Sequence, residues 1–189
     1  IKDTSVLENT IELSATQNDF YLDLSIESYE TLNKPTSDKY EFVYPNYSLK
    51  KMNFFEDRII NSVEFVSSGN QKKYSTNIYE AVQINDFIFN GANNISKFGL
   101  NHNIKTIIKN VNSDSKNSAK LKEKQQSEVL SMLTYDLVLP LIKDNVNFNS
   151  QLIPRASLRY SPNDTKSLKT EQRYLNTDNI FSLNRIGYN

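Results

Sequence analysis

The sequence predicts an all-β fold, and three observations support this prediction. Apolar and polar residues alternate with a period of two over most of the chain, helical periodicity is almost absent, and aromatic residues are plentiful (11 Tyr and 10 Phe among 189 residues). Successive side chains of a strand point to opposite faces, so this alternation indicates strands with one apolar and one polar face. Aromatic residues also favour strands over helices.

About nine strands are predicted along the chain. An early example places Val43, Pro45, Tyr47 and Leu49 on one face of a single strand. The clearest alternation runs over residues 148–160. The predicted strands cover residues 7–14, 20–27, 43–50, 59–65, 78–84, 103–109, 129–139, 148–160 and 181–184.

The connections between these strands are rich in Asn, Ser, Lys, Asp and Gly, as turns require. Three of them are long and cover residues 31–39, 112–126 and 161–177, whereas 15–18, 51–55 and 140–145 are short. Long and short connections alternate only if 85–98 is not a strand of its own, and the pattern leaves that question open. Pro45 and Pro154 each lack a backbone donor, so we expect a bulge at each.

Two architectures fit this pattern. A soluble sandwich uses strands of about 5–6 residues whose apolar faces share a core. A transmembrane barrel uses strands of roughly ten residues, apolar outside and polar inside. Long strands, alternating connections and charged residues within strands favour an antiparallel transmembrane β-barrel segment, with about nine strands of a larger outer-membrane barrel. Tyrosines near strand ends are either interface residues of such a barrel or simply common here: Tyr29, Tyr40, Tyr135, Tyr160 and Tyr188.

Composition argues against several classes of function. The 22 basic and 22 acidic side chains balance, which argues against a nucleic-acid partner. There is no Cys, and His102 is the single histidine, so thiolate and multi-histidine metal sites are not expected. Carboxylates are scattered and the glycines are isolated, so we expect no enzyme, no cofactor and no metal. No apolar run is long enough for a transmembrane helix.

Three arginines are the candidate binding residues: Arg155, Arg159 and Arg185. Arg155 and Arg159 share the polar face of one predicted strand, which would face the lumen of a barrel. Arginine offers bidentate donors to phosphate, so one interpretation is contact with lipid phosphates or with a partner inside the barrel. The other interpretation is a charge pair with a neighbouring carboxylate that holds the strands in register.

The C-terminal part of the chain resembles a known family. The points of resemblance are a P-x-x-S-x-R-Y-S-P-x-D pattern from Pro154 to Asp164 and the block D-N-I-F-S-L-N-R-I-G from Asp178 to Gly187. A Y-x-x-x-x-P-x-Y pattern lies upstream, from Tyr40 to Tyr47, and 96–118 and 125–143 also look like strands of that family. Together they resemble the alphaproteobacterial branch of the lipopolysaccharide-assembly outer-membrane protein LptD, also called organic solvent tolerance protein. The resemblance is dense from Tyr29 to Asn189.

This resemblance implies a role in lipopolysaccharide transport and assembly at the bacterial outer membrane. The family's barrel inserts lipopolysaccharide into the outer leaflet, and its partners are outer-membrane lipids, an LptE-like plug lipoprotein and the periplasmic Lpt bridge proteins. Residues 1–189 would be a partial C-terminal barrel domain, without the N-terminal periplasmic jelly roll and the terminal barrel strands. The alternatives are another outer-membrane porin or receptor barrel, and a soluble β-sandwich interaction or adhesin domain.

Overall fold

The computed structural model describes residues 5–35, 39–56, 59–144 and 149–162, and this part of the chain contains strands and no helix. Seven strands are long, and each of these covers 12 residues or more. They are β1 (Val6–Gln17), β2 (Phe20–Thr31), β3 (Tyr40–Phe54), β4 (Ile60–Tyr74), β5 (Tyr79–Gly91), β7 (Asn101–Lys116) and β8 (Gln126–Val138). The short strands are β6 (Asn94–Ile95), β9 (Leu141–Asp144), β10 (Asn149–Leu152) and β11 (Arg155–Tyr160).

The long strands form one antiparallel sheet in which chain neighbours are spatial neighbours. Its order is β1-β2-β3-β4-β5-β7-β8-β11, with β6 paired to β7 beside this path. The strands β9 and β10 form a separate two-stranded hairpin. Within the described residues no pairing joins β1 to β11, so this sheet is open at both edges. The all-β, antiparallel prediction is confirmed, and closure into a barrel stays a prediction.

The sheet has two ends, which we name after their turn residues. The Asn18 end carries the connections 18–19, 55–59, 92–100 and 139–154, and the Asn77 end carries 32–39, 75–78 and 117–125. Asn18 and Asn77 both have positive φ, which asparagine tolerates in tight turns. Residues 85–91 belong to β5 and form no strand of their own, which was the condition for long and short connections to alternate. The connections still do not alternate in length, because both ends carry long ones.

The predicted strand 148–160 is interrupted. Residues 149–152 pair with β9, whereas residues 155–160 pair with β8. Pro154 lies between the two strands, where its carbonyl accepts a hydrogen bond from the Leu139 amide at 3.1 Å. The bulge expected at Pro154 is therefore wrong, because the proline ends the ladder instead of remaining within it.

The bulge expected at Pro45 is confirmed. The register of β3 shifts between Val43 and Asn46 against β4, and β2 shifts at the same level against β3. The extra residue turns Val43 to the face opposite Tyr47 and Leu49. Val43 pairs with Glu27 and Lys72 and is buried, so its predicted place beside Tyr47 is wrong.

Candidate functional site: the two faces of the sheet

Directly paired residues share a face, so the strand register assigns every long strand to two continuous surfaces. One surface, which we call the apolar face, contains Leu13, Leu24, Phe87, Tyr135 and Leu158. The other, which we call the charged face, contains Glu12, Ser25, Asp86, Asp136 and Arg159. The sequence correctly predicts this division for most strands. In β5 the predicted apolar side, with Val82 and Ile84, lies instead on the charged face.

The apolar face exposes large hydrophobic side chains on most strands of the sheet. Ile11, for example, is 74% exposed. Soluble monomers rarely leave a continuous apolar surface of this extent uncovered, so this face indicates contact with a partner or a membrane. Its most exposed members are Leu7, Ile11, Leu13, Ile26, Phe87, Ile104, Val129, Leu133, Leu158 and Tyr160.

The hydrophobic residues of this face form a band that runs obliquely to the strands. On β1 and β2 the band is centred on the paired residues Leu13 and Leu24, and on β8 and β11 it is centred on the pair Tyr135 and Leu158. Direct pairing from strand to strand connects Leu13 on β1 to Ser127 on β8. The band is centred on Tyr135 of β8, so it shifts by eight residues along the strands between β1 and β8. The strands rise about 3.3 Å per residue and lie about 4.8 Å apart, and six spacings separate β1 from β8. For the band to lie perpendicular to the axis of a barrel, the strands would have to tilt by about 40° from that axis.

Charged side chains are segregated between the faces. On the apolar face they occur only near strand ends within the described sheet: Glu30, Lys51, Lys73, Asp114 and Lys116. The charged face carries them along its whole length: Glu8, Glu12, Asp23, Glu27, Glu41, Lys50, Glu64, Lys72, Glu80, Asp86, Lys105, Lys109, Glu128, Asp136, Arg155 and Arg159. Lys51 is the one of these that reaches the hydrophobic band, where it pairs with Phe20 and Phe65 and contacts Asp19 of the turn at 3.2 Å. Apart from Lys51, the central part of the described apolar face carries no charge, as contact with hydrocarbon requires.

The charged face is also the enclosed face. Apart from Ser67, every buried side chain of the described strands lies on it, including Val111 at 0% and Leu130 at 1% exposure. Ile107, Leu130 and Met132 form a small cluster against Ile88. The charged face is therefore the more closely packed of the two faces.

Hydrogen bonds connect the acidic side chains of the charged face near β2. The Glu27 carboxylate accepts bonds from the Ser25 hydroxyl at 2.6 Å, the Tyr29 hydroxyl at 2.7 Å and the Asn46 amide at 2.9 Å. Beside it, Lys72 contacts Glu41 at 3.5 Å. A cavity of about 230 Å³ is lined by Glu27, Tyr29, Glu41, Val43, Asn46, Asn70 and Lys72. On the apolar face, near the end of β2, Glu30 contacts Lys39 at 2.6 Å, and this hydrogen bond raises the pKa of the Lys39 ammonium.

One ion pair lies in the centre of the charged face. Lys109 Nζ is 3.4 Å from Asp86 Oδ2, and the two side chains are 13% and 21% exposed. The other Asp86 oxygen, Oδ1, is buried without a hydrogen-bond partner in the described part of the chain. Burying charges this far costs free energy unless they are paired, so each residue depends on the other.

A chain of polar side chains crosses five strands on the apolar face, next to the hydrophobic band. Neighbouring groups in this chain are 2.7–3.3 Å apart. Since each member bonds to the next, the polar groups are satisfied without water. The members are Tyr47, Ser67, Asn85, Asn110, Asn112 and Ser127.

Close packing explains one glycine beside this chain. A Cβ atom on Gly69 would lie 2.7 Å from the Val82 carbonyl oxygen and 2.9 Å from the Tyr47 ring. The Tyr47 ring therefore lies directly over β4 at this point, and only glycine leaves it that space.

The candidate residues from the sequence fall into three groups. Arg155 and Arg159 lie on the charged face of the edge strand β11, on either side of Ser157, which pairs with Asp136. Arg185 lies outside the described residues, as do Tyr188, the predicted strand 181–184 and the connection beyond Pro162. Among the tyrosines, Tyr40, Tyr135 and Tyr160 lie on the apolar face, whereas Tyr29 lies on the charged face and donates to Glu27.

Sequence reasoning missed the folding of residues 117–125 against the charged face. Leu121 is 3% exposed, and with Lys120 it lines a cavity of about 290 Å³ that also contacts Asn46, Asn70 and Ile84. A single leucine in a lysine-rich segment was the only available signal.

No three His, Asp or Glu side chains of the described ranges lie close enough to hold a metal ion. No helix in that part of the chain is long and apolar enough to cross a membrane. The sequence matches no protein-family model, and no curated protein matches it. The fold and its two faces define an antiparallel sheet with an exposed apolar surface and an enclosed charged surface.

Proposed function

We propose that this sheet is part of the wall of an outer-membrane β-barrel that works in lipopolysaccharide transport and assembly. The observation that carries the barrel part is the oblique hydrophobic band on the exposed face, in which Lys51, paired with Asp19 of the turn, is the only charged side chain of the described strands. Strands of outer-membrane barrels tilt by about 35–45°, and a level membrane belt on such strands must cross them obliquely. The tilt of about 40° that the band requires falls in this range.

The distribution of burial supports the same proposal over a soluble sandwich. A sandwich places its apolar face in a core against a second sheet. Here the apolar face is exposed, the charged face is enclosed, and the long strands have at least 12 residues, against the 5–6 typical of globular proteins. A hydrated lumen accommodates the charged residues of the inner face, such as Glu27 and Lys109.

The lipopolysaccharide part of the proposal is supported by the family resemblance alone. In this role the barrel contributes no catalysis: its closed backbone satisfies its hydrogen bonds while sugar and phosphate groups cross along the hydrated inner face. Arg155 and Arg159 would face this passage, where they could bind phosphates or pair with carboxylates such as Asp136.

Depletion of the protein from its host cell tests this role. We expect depletion to lower the lipopolysaccharide at the cell surface, measured by binding of a lipopolysaccharide-specific probe to intact cells. Porin levels in isolated outer membranes serve as the control for general damage. Unchanged surface lipopolysaccharide after full depletion would contradict the role and would favour another kind of outer-membrane barrel.

A further inference from the structure

The segment 117–125 at the Asn77 end turns back over the charged face instead of extending away from the sheet. Residues with positive φ stand close to both of its ends, Asn117 at 57° and Lys124 at 70°. The Asn117 amide also donates to the Asn77 carbonyl at 3.1 Å, which ties the segment to the neighbouring turn. Left-handed backbone at these two positions lets the chain turn sharply where the segment leaves β7 and enters β8.

Internal hydrogen bonds keep this segment ordered. The Ser118 hydroxyl accepts the backbone N–H groups of Lys120 and Leu121, each at 3.0 Å, and donates to Glu80 on the charged face. The Ser115 hydroxyl donates to the Lys122 carbonyl at 2.8 Å. Backbone groups that would otherwise need water are thus satisfied within the fold.

A hydrophobic anchor holds the segment over the sheet. Leu121 is buried against the charged face beside Ile84. Lys120 lies at the border of a larger cavity of about 390 Å³, which Glu41, Glu80 and Tyr29 also line.

We propose that residues 117–125 are a constriction inside the lumen, and that they limit the size of what passes along the charged face. This inference rests on the proposed function, because only an enclosed face has a passage to constrict.

Cysteine labelling tests the position of the segment, since the chain has no native cysteine. We expect Leu121→Cys to react with a maleimide about tenfold more slowly than Phe98→Cys, because local opening must precede its reaction. Phe98 is 92% exposed in the connection 92–100 at the opposite end of the sheet. Adding Ser118→Ala should speed the labelling of Leu121→Cys. The matched control is Ser96→Ala, which removes the hydroxyl that holds the Leu100 amide in the other connection. Equal rates for the two cysteines would overturn the inference.

Solute permeation tests the constriction itself. Replacing residues 118–123 of the full chain with Asn-Gly should let larger sugars enter vesicles, measured by swelling, whereas shortening 93–99 should not. An unchanged size limit would overturn the constriction even where the protein forms a barrel. Gel migration with and without boiling on the same samples identifies the other failure. Without a heat shift, both the enclosed lumen and the constriction within it are wrong.

Discussion

At the scale of single residues, Asp86 and Lys109 depend on each other most clearly. They pair directly across β5 and β7, and neither side chain is more than about a fifth exposed. A charge left alone at such a site would lose its hydration without gaining a partner.

We therefore expect Lys109→Met to destabilise the protein by about 3 kcal/mol, because it leaves the Asp86 carboxylate buried and unpaired. The double variant Asp86→Leu/Lys109→Met should recover most of this loss. Urea unfolding of the wild type, both single variants and the double variant, refolded in detergent, gives the coupling free energy. Additive effects of the two substitutions would show that the pair does not interact.

The sequence predicts the faces of single residues better than it predicts their partners. The two-residue period correctly places Arg155 and Arg159 on the charged face and Leu158 on the apolar face. The parity of a strand says nothing about which carboxylate of another strand lies opposite, so the partners of these arginines could not be predicted. Val43 shows the limit of the period itself, because one bulge residue reverses the face of everything before it.

At the scale of the strands, polar residues led the sequence analysis to predict connections where the sheet continues. The end of β7 was predicted as a connection, because Asn110, Asn112 and Asp114 lie on its apolar face instead of hydrophobic residues. Hydrogen bonds compensate for the missing apolar contacts, because the Asn110 side-chain oxygen accepts from Asn85 of β5 and from Asn112 of its own strand. Only the paired structure reveals this compensation, since it depends on strand register.

The apolar face makes a direct prediction for β1, where Ile11 and Thr10 are exposed on opposite faces. Ile11→Arg should cost about 2–4 kcal/mol in lipid vesicles if its face contacts hydrocarbon, with the larger value near the bilayer midplane. Thr10→Arg should change stability little, because Thr10 lies on the charged face opposite Glu27. Urea titration of the folded fraction in vesicles measures both.

The same pair separates the two architectures. On a soluble sandwich Ile11 would face the core against a second sheet, so Ile11→Arg would destabilise the protein in buffer without lipid, whereas a membrane barrel shows the loss when folded in lipid. Equal tolerance of arginine at residues 10 and 11 would therefore contradict the assignment of the apolar face to lipid.

At the scale of the whole molecule, a membrane barrel would require pairing partners for the two edge strands, β1 and β11. In lipid every backbone donor and acceptor must be satisfied within the protein, so an open sheet cannot cross a membrane. A barrel requires that further strands pair with both edges. The apolar band, the enclosed charged face and the long strands all fit the wall of such a barrel. In the proposed role, lipopolysaccharide is the molecule that this barrel transports.

Gel migration of the protein extracted from outer membranes, with and without boiling, tests the central claim most directly. A closed barrel resists detergent at room temperature, so we expect a compact, fast band that shifts to its unfolded position on boiling. A protein that is recovered soluble from the periplasm and shows no heat shift would contradict the barrel and would favour a β-sandwich whose apolar face binds a protein partner.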